Sequence, residues 1–385
     1  MKLDFNFGKE WKELKKIENL PFNEKRIIFY AENKASMNHF KTLIFELTEK
    51  MNFHICYVTS VKDDLMLTSK NQKIKSFYIG EGTARTKFFL TLRTKILIMD
   101  MPDLEKFHIK RSKVYPVHYI YIFHSMFSVH SYLREGAIDH YDTIFCVGKH
   151  HVDEIRETEK IYKLKPKKLL SYGFPRLDTL IQQRDHIQVE LQPKKLILIT
   201  PSYGKNNLLE TCGLELIDIL LKSNFKVLVR PHFKILKESK KLMKKINDEF
   251  GMNPDFILEK GVITTELFQS STCMISDWSG ISLEYAFTFE RSVIFIDVPK
   301  KILNPNSGKI SLEPIEISIR HKVGHVVLPV RIKEIPNLII TLNGDEKNGG
   351  KIRDIRSKTV YNLGKSAKIG AEYIQKLNEE LNGDD

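Results

Sequence analysis

Residues 273–297 read CMISDWSGISLEYAFTFERSVIFID: an apolar run, a polar turn, an apolar-periodic stretch and a second apolar run. The two apolar runs, 273–275 and 292–297, have the composition of buried strands, and residues 279–289 have the apolar spacing of a helix. Two strands joined by a helix form a βαβ unit, whose strands lie parallel. This segment therefore predicts an α/β fold with a parallel sheet.

The same alternation of strand-like and helix-like segments continues on both sides of this unit. We predict strands at about 26–32, 53–60, 74–79, 95–100, 117–124, 143–148, 168–172, 195–200, 225–230, 255–258, 273–275, 292–297 and 324–330. We predict helices at about 37–50, 150–164, 208–222, 234–250, 264–270, 279–289 and, as one or two polar helices, 351–381.

The polar stretch 181–193 interrupts this alternation and predicts a domain boundary. We expect a Rossmann-like N-terminal domain over residues 1–185, a second Rossmann-like domain over 190–345 and a helical segment over 346–385. Two such domains facing a central cleft form the arrangement called GT-B among glycosyltransferases. Because ligands bind beyond the carboxyl ends of strands in open α/β sheets, we expect the functional residues at these ends.

Composition indicates a globular protein of a reducing compartment. The chain has 385 residues, enough for two domains, with 42% hydrophobic and 28% charged residues. Its four cysteines are far apart and form no CxxC pair, which argues against a disulfide framework. No apolar stretch approaches the roughly 20 residues of a membrane span, and the N-terminus lacks an apolar signal core. We expect a cytoplasmic protein.

The charge balance predicts anionic partners. Lysine and arginine total 61 against 48 acidic residues, a net charge of +13, with denser basic groups at 165–168 and 234–245. Nucleic acid, a membrane surface or a phosphate-rich polymer would suit this charge. Zinc-finger spacing and RNP-type aromatic motifs are missing, which argues against specific nucleic-acid binding. Nothing in the sequence indicates an oligomeric state.

His124 ends the apolar run 117–124 and is the first candidate catalytic residue. A histidine at the carboxyl end of a strand faces the crevice, and its near-neutral pKa suits removal of a proton from an attacking hydroxyl. The structural alternative is a histidine hydrogen-bonded within the sheet. Ser125, Gly82 and Asp100 stand at neighbouring strand ends or turns and are candidate acceptor-side residues.

Arg230-Pro231-His232 follows another apolar run. Because proline stops the strand, the flanking arginine and histidine are displayed rather than paired in the ladder. The guanidinium can hold a phosphate, and the imidazole can donate to a phosphoryl oxygen. A plain strand terminator with solvated charges is the alternative interpretation.

Residues 276–280, Ser-Asp-Trp-Ser-Gly, precede the helix 279–289. Serine or aspartate here is a natural N-cap, yet a helix start also presents N–H groups and a positive dipole to a phosphate. Asp277 stands out because a carboxylate repels phosphate, so it orients a neighbour or binds a hydroxyl. A P-loop and a strand-end Asp-x-Asp are both missing, so we expect neither a P-loop kinase nor a metal site.

These clusters resemble the CDP-glycerol glycerophosphotransferase family, the primases and polymerases of teichoic acid. The resemblance spans about residues 115–300. Its family motifs are a strand-end histidine, a Pro-Thr turn, an Arg-x-His-Pro turn, a Ser/Thr-Asp-Tyr-Ser-Ser segment and a Gly-x-Pro-Arg-x-Asp segment. Their counterparts in this chain are His124, Pro201-Ser202, Arg230-Pro231-His232-Phe233, Ser276–Gly280 and Tyr172–Asp178.

The resemblance implies transfer of glycerol phosphate from CDP-glycerol to a hydroxyl of a lipid-linked acceptor, without a cofactor. It implies His124 as the base and His232 with Arg230 at the donor phosphates. The nucleotide site would include Ser202, Ser276, Asp277, Ser279 and Gly280. His124 is followed by Ser-Met-Phe-Ser rather than by glycine, which leaves open the acceptor polymer and whether another CDP-alcohol or a nucleotide sugar is the donor.

Two other functions remain open at this point. A GT-B glycosyltransferase or a sugar-nucleotide epimerase could use Asp100, Glu284 and His124 around a sugar. A non-catalytic protein could bind a polymer or a membrane surface through its basic residues. The amphipathic stretch Glu10–Ile17 either packs on the domain or lies at the inner face of the cell membrane as an interfacial helix.

Overall fold

The computed structural model describes residues 8–188, 194–261, 264–300, 303–342 and 346–381. The strands are β1 Ile27–Ala31, β2 Ile55–Thr59, β3 Ile74–Tyr78, β4 Ile96–Met99, β5 His118–Ile122, β6 Thr143–Cys146, β7 Lys168–Ser171, β8 Leu196–Thr200, β9 Lys226–Val229, β10 Phe256–Leu258, β11 Ser271–Ser276, β12 Val293–Ile296 and β13 Gly324–Val327. All thirteen predicted strands are present, and their ends differ from the predicted ones by at most three residues.

The helices are α1 Lys9–Asn19, α2 Met37–Phe45, α3 Thr83–Thr91, α4 Val129–Tyr132, α5 Lys149–Tyr162, α6 Pro175–Arg184, α7 Leu214–Lys222, α8 Phe233–Glu238, α9 Lys240–Phe250, α10 Thr265–Ser270, α11 Ile281–Phe289, α12 Ile315–Ser318, α13 Arg320–Val323, α14 Ile335–Leu342, α15 Glu346–Thr359 and α16 Ser366–Glu380. Two π-helical turns, Glu46–Lys50 and Leu209–Gly213, extend α2 and precede α7. Short 3-10 turns lie at Phe22–Lys25, Lys34–Ser36, Leu65–Thr68, Ser307–Lys309 and Pro329–Glu334.

The chain divides into two compact units. The first contains Met1–Asp178, Asn304–Ser311 and Val360–Asp385, and the second contains Thr179–Leu303 and Leu312–Thr359. The division falls inside α6, which runs into the polar stretch predicted as the boundary; residues 189–193 of that stretch lie outside the described residues. The C-terminal segment is shared, because α15 belongs to the second unit and α16 to the first.

The first unit has a seven-stranded parallel sheet in the order β3-β2-β1-β4-β5-β6-β7. Every residue of β1, β2, β4 and β6 is buried. Such continuous apolar strands are typical of parallel sheets that are covered on both faces. The strand order reverses between β1 and β4, which register Ile27 against Ile96. This reversal is the switch point at which α/β sheets of this kind bind ligands.

The second unit repeats the plan with a six-stranded parallel sheet in the order β10-β9-β8-β11-β12-β13. Its switch point lies between β8 and β11. Ile199, Ile275 and Ile294 of the sheet and Leu216 of α7 belong to its buried core. The segment 299–348, where the sequence pattern is loose, contains α12 to α14, and Ile335 and Ile339 of α14 join the same core.

Helix α1 packs against β3 and α3 of the first unit. Its apolar residues Leu14 and Ile17 are buried, while Lys12, Lys15 and Lys16 are exposed. Leu14 and Ile17 are therefore covered by this chain, while Trp11 on the same helix is partly exposed. None of the helices in the described ranges has the length and apolar character needed to cross a bilayer.

Helix α16 packs on the first unit so closely that one of its positions has room only for glycine. A Cβ at Gly370 would lie 2.4 Å from Tyr172 Cε2 and 3.1 Å from Phe145 Cε2. Gly173, with φ +106°, lies under the start of the same helix. At this helix start, Asp178 accepts hydrogen bonds from the N–H groups of Gly364 and Ser366 at 2.7 and 3.2 Å. Residues 172–178 therefore hold α16 against the sheet through packing and hydrogen bonds.

We predict opposite stability effects for the same substitution in two helices. Gly370→Ala should lower the free energy of unfolding by about 1–3 kcal/mol, because the buried Tyr172 ring has to move. Gly350→Ala in α15, whose Cβ would meet nothing within 4 Å, should raise it by about 0.5–1 kcal/mol through helix propensity. Urea denaturation followed by circular dichroism measures both; stabilisation by Gly370→Ala would contradict the close packing.

Candidate functional site

His124 lies just beyond the carboxyl end of β5, beside the end of β4. Its Nδ1 is 3.2 Å from the backbone carbonyl oxygen of Asp100 and 3.3 Å from the Tyr121 hydroxyl. A carbonyl oxygen can only accept a hydrogen bond, so this contact favours the tautomer in which Nδ1 carries the hydrogen and donates it to Asp100, with the Tyr121 oxygen as a second acceptor. In the neutral ring the lone pair is then on Nε2, the nitrogen that can act as a base.

Asp100 joins His124 to two residues that the sequence analysis missed. Its Oδ1 accepts a hydrogen bond from Ser36 Oγ at 2.9 Å, and its Oδ2 lies 2.8 Å from His39 Nδ1. The rings of His39 and His124 are 6.4 Å apart. A signal was available, because Ser36 and His39 open the amphipathic stretch that follows β1, at the same sheet edge.

Burial sets the charge state of His124. Loss of hydration and the neighbouring His39 lower its pKa below the usual 6.5, and Asp100 partly opposes this. Burial also raises the pKa of Tyr121 far above 10, so this phenol stays protonated. His124 is therefore neutral at pH 7, the form that a general base requires.

The loop that follows His124 is held by α5. His150 Nε2 and His151 Nε2 donate to the carbonyl oxygens of Met126 and Phe127 at 2.9 and 2.7 Å. Glu154 Oε2 accepts from the N–H group of Val129 at 2.5 Å. His150 and His151, which are adjacent in the sequence, thus hold the loop after His124 in place. Among the described residues, no group of three or more His, Cys, Asp or Glu side chains is placed to hold a metal ion, and the metal-free reaction stays a prediction.

The two other acceptor-side candidates differ in their surroundings. Ser125 is buried, and its Oγ accepts a hydrogen bond from the Phe127 N–H at 3.2 Å, which shapes the loop turn. Gly82 precedes the first residue of α3, and a Cβ there would meet nothing within 4 Å. Gly82 therefore borders open space, and of the three acceptor-side candidates Asp100 is the one whose hydrogen bond to His124 is described.

Asp277 holds together the switch point of the second unit. It follows β11, is 1% exposed, and accepts from the N–H groups of Ser202 and Leu208 at 2.6 and 3.0 Å. Burial raises the pKa of this carboxyl, and the two backbone hydrogen bonds oppose that rise. Both carboxylate oxygens are thus engaged by the loop after β8. Asp277 therefore supports this loop, and its contact with a nucleotide stays a prediction.

Ser276 also supports the sheet, because it is fully buried and donates a hydrogen bond to the carbonyl oxygen of Thr200 at 2.6 Å. Ser279 and Gly280, in contrast, are partly exposed at the start of α11. Ser202 is partly exposed at the end of β8, and its N–H is directed to Asp277. Of the predicted nucleotide residues, Ser202, Ser279 and Gly280 are thus the ones that a ligand could reach.

His232 has the opposite proton arrangement to His124. The imidazole caps α8, where its Nδ1 accepts a hydrogen bond from the Lys234 N–H at 3.2 Å. Nδ1 is therefore unprotonated in the neutral ring and Nε2 carries the hydrogen, so that Nε2 is a donor. Tyr203 stacks on the ring with centroids 4.6 Å apart, and Arg230 at the end of β9 is partly exposed.

Residues 14–299 match the family described as CDP-glycerol:poly(glycerophosphate) glycerophosphotransferase. Similar solved structures include the wall teichoic acid polymerase TagF, at 14% identity and a TM-score of 0.59 over 97% of this chain and 94% of that chain. A putative UDP-N-acetylglucosamine 2-epimerase from Listeria monocytogenes has 12% identity and a TM-score of 0.61 over 92% and 97% of the two chains. No curated protein matches the sequence. At these identities the structures support the fold alone, and the prediction of a GT-B-like α/β protein is confirmed.

We predict that Asp277→Ala destabilises the second unit. The N–H groups of Ser202 and Leu208 would lose their acceptor in a buried setting, which costs about 1–3 kcal/mol for each group. Urea denaturation should show a loss of that order. As a matched control, Asp218→Ala on the exposed face of α7 removes only a surface ion pair with Lys222 and should change stability by less than about 0.5 kcal/mol. Equal effects of the two changes would contradict the role given to Asp277.

Proposed function

The chain belongs to the CDP-glycerol:poly(glycerophosphate) glycerophosphotransferase family, and on that premise we propose how it transfers glycerol phosphate. The donor is CDP-glycerol, and the acceptor is a hydroxyl group of a teichoic acid or related cell-surface polymer, or of its lipid-linked precursor. The first unit supplies the base that activates the acceptor, and the second unit holds the donor.

His124 Nε2 takes the proton of the acceptor hydroxyl. The hydroxyl oxygen then attacks the phosphorus atom that carries glycerol, and a phosphodiester bond forms. The bond between this phosphorus and the oxygen that bridges the two phosphates breaks, and CMP leaves with the bonding electrons. The partly buried, neutral state of His124 supports its assignment as the base.

The second unit stabilises the charge on the donor phosphates. His232 Nε2–H donates to a phosphoryl oxygen, and the Arg230 guanidinium supplies a permanent positive charge. Ser202, Ser279 and Gly280 complete the donor site, the last two at the N-terminus of the nine-residue α11, where N–H groups and the helix dipole favour anions.

The observation that carries this proposal is the contrast between the two imidazoles. A backbone carbonyl accepts from Nδ1 of His124, and a backbone N–H donates to Nδ1 of His232, so in the neutral rings Nε2 carries a lone pair in His124 and a hydrogen in His232. A base and a donor that both act through Nε2 need these opposite tautomers. The epimerase and glycosyltransferase alternatives rest on shared fold alone, whereas the family match covers residues 14–299.

A lipid-linked acceptor would bring the protein to the inner face of the cell membrane. Because Leu14 and Ile17 of α1 are buried, exposed basic residues are better placed for membrane contact. The exposed Lys240, Lys241, Lys244 and Lys245 form a basic stretch on α9, which the neighbouring Asp248 and Glu249 partly offset. Each cation close to anionic lipid contributes about 1 kcal/mol, which supports a peripheral contact at this basic stretch.

We predict that His124→Ala lowers kcat for acceptor-dependent CMP release by about 10²–10⁴-fold, because the base is lost. The affinity for CDP, measured by calorimetric titration, should stay within about twofold of the wild type, because the variant removes no donor contact. His54→Ala, at an exposed position, is the control for loss of a histidine and should retain full turnover. Near wild-type turnover in His124→Ala would refute the base assignment.

Arg230→Ala should have the complementary effect. Loss of a charge-assisted hydrogen bond costs about 1.5–3 kcal/mol, so the affinity for CDP should fall by about tenfold or more. Arg331→Ala, which removes a surface ion pair with Glu334, serves as the charge-matched control. Unchanged CDP affinity in Arg230→Ala, or an equal loss in both variants, would argue against a donor role for Arg230.

A further inference from the structure

The proposed function does not use a buried polar cluster directly behind His124. His39 and the Asp100 side chain are 6% and 5% exposed, and Ser36 is fully buried. A histidine and a carboxylate in such a setting lose hydration, so their hydrogen bonds must compensate. The cluster lies at the switch point of the first sheet, where β4 ends.

The geometry of Asp100 is fixed from three directions. One carboxylate oxygen accepts from Ser36 Oγ, the other faces His39 Nδ1, and the backbone carbonyl accepts from His124 Nδ1. The two side-chain contacts come from the segment that follows β1, while the carbonyl contact reaches β5. Asp100 thus connects three neighbouring strand ends through a single residue.

We propose that Ser36, His39 and Asp100 are positioning residues for His124, an inference that rests on the proposed function. The side-chain contacts hold Asp100 so that its carbonyl keeps the proton of His124 on Nδ1. When Nε2 accepts the proton of the acceptor hydroxyl, His124 gains a positive charge. The nearby Asp100 carboxylate offsets that charge, and no proton passes to Asp100 or His39.

The groups that face His124 have opposing effects on it. Asp100 raises the pKa of His124, while burial and His39 lower it. Two tyrosines also face the ring: the Tyr121 hydroxyl is 3.3 Å from Nδ1, and the centroid of the Tyr132 ring is 6.3 Å from that of His124. Removing the carboxylate should therefore lower the pKa of His124, and removing the His39 imidazole should raise it.

NMR titration of the His124 imidazole in the full-length protein tests this inference. Asp100→Asn, which keeps the backbone carbonyl, should lower the His124 pKa by about one unit, and His39→Gln should raise it. His54→Gln, at an exposed position, should leave it unchanged. The acid limb of the pH dependence of kcat/KM should move in the same directions. Equal His124 pKa values in wild type, Asp100→Asn and His39→Gln would overturn the proposal.

The variant Ser36→Ala separates positioning from charge, because it removes one hydrogen bond to Asp100 and no charge. The pKa of His124 should therefore stay within about half a unit of the wild-type value. Turnover should fall by about tenfold, because Asp100 is held less firmly. Ser36→Ala replaces Asp100→Asn if circular dichroism shows that the latter does not fold; unchanged turnover in Ser36→Ala would count against the positioning role. The NMR titration of His124 does not depend on turnover. If the wild-type protein transfers nothing from CDP-glycerol, the proposed function is refuted, while the His124 pKa values still test the positioning role.

Discussion

The hydrogen bond from His124 Nδ1 to the Asp100 carbonyl oxygen is the interaction on which the proposed chemistry depends. Without an acceptor at this place, the proton could sit on either ring nitrogen. With it, the lone pair of the neutral ring is on Nε2. The carbonyl is available because β4 ends at Met99, one residue before Asp100, so this oxygen is not required by the sheet ladder. The backbone carbonyl at the end of β4 thus determines which ring nitrogen of His124, at the end of the neighbouring β5, can act as the base.

Both units place their candidate residues by the same structural rule. In each parallel sheet the strand order reverses once, and polar residues follow the strands on either side of that reversal. In the first unit Ser36 and His39 follow β1 and Asp100 follows β4, with His124 after the next strand, β5; in the second unit Ser202 follows β8 and Asp277 follows β11. The second unit adds a helix start after β11 and a histidine after β9, which suits a phosphate-bearing ligand.

The strands could be predicted because each buried strand of a parallel sheet is a short, continuous apolar run that polar turns interrupt. Helix α6 was missed because its last residues, 181–184, belong to the polar stretch that was interpreted as a domain boundary, although Leu177 and Leu180 form a buried face. Helix α14 was missed because it lies in a stretch of weak periodicity. The predicted single helix 234–250 is two helices, since the backbone at Ser239 leaves the helical conformation with ψ 43°. Local patterns do not report such interruptions.

The candidate site was only partly predictable. His124 and His232 could be found because each closes an apolar run. His39 could not be paired with Asp100, because 61 residues separate them and only the fold brings them together. The roles of Ser276 and Asp277 could not be predicted, because a polar turn before a helix has the same kind of sequence whether its side chains support the backbone or contact a ligand. Their burial and backbone hydrogen bonds favour support.

The most direct measurement is the ¹⁵N chemical shift of both ring nitrogens of His124 and His232 in the full-length protein at a pH above their titration. Opposite tautomers are predicted, with the hydrogen on Nδ1 of His124 and on Nε2 of His232. Finding the hydrogen on Nε2 of His124 would contradict its role as the base.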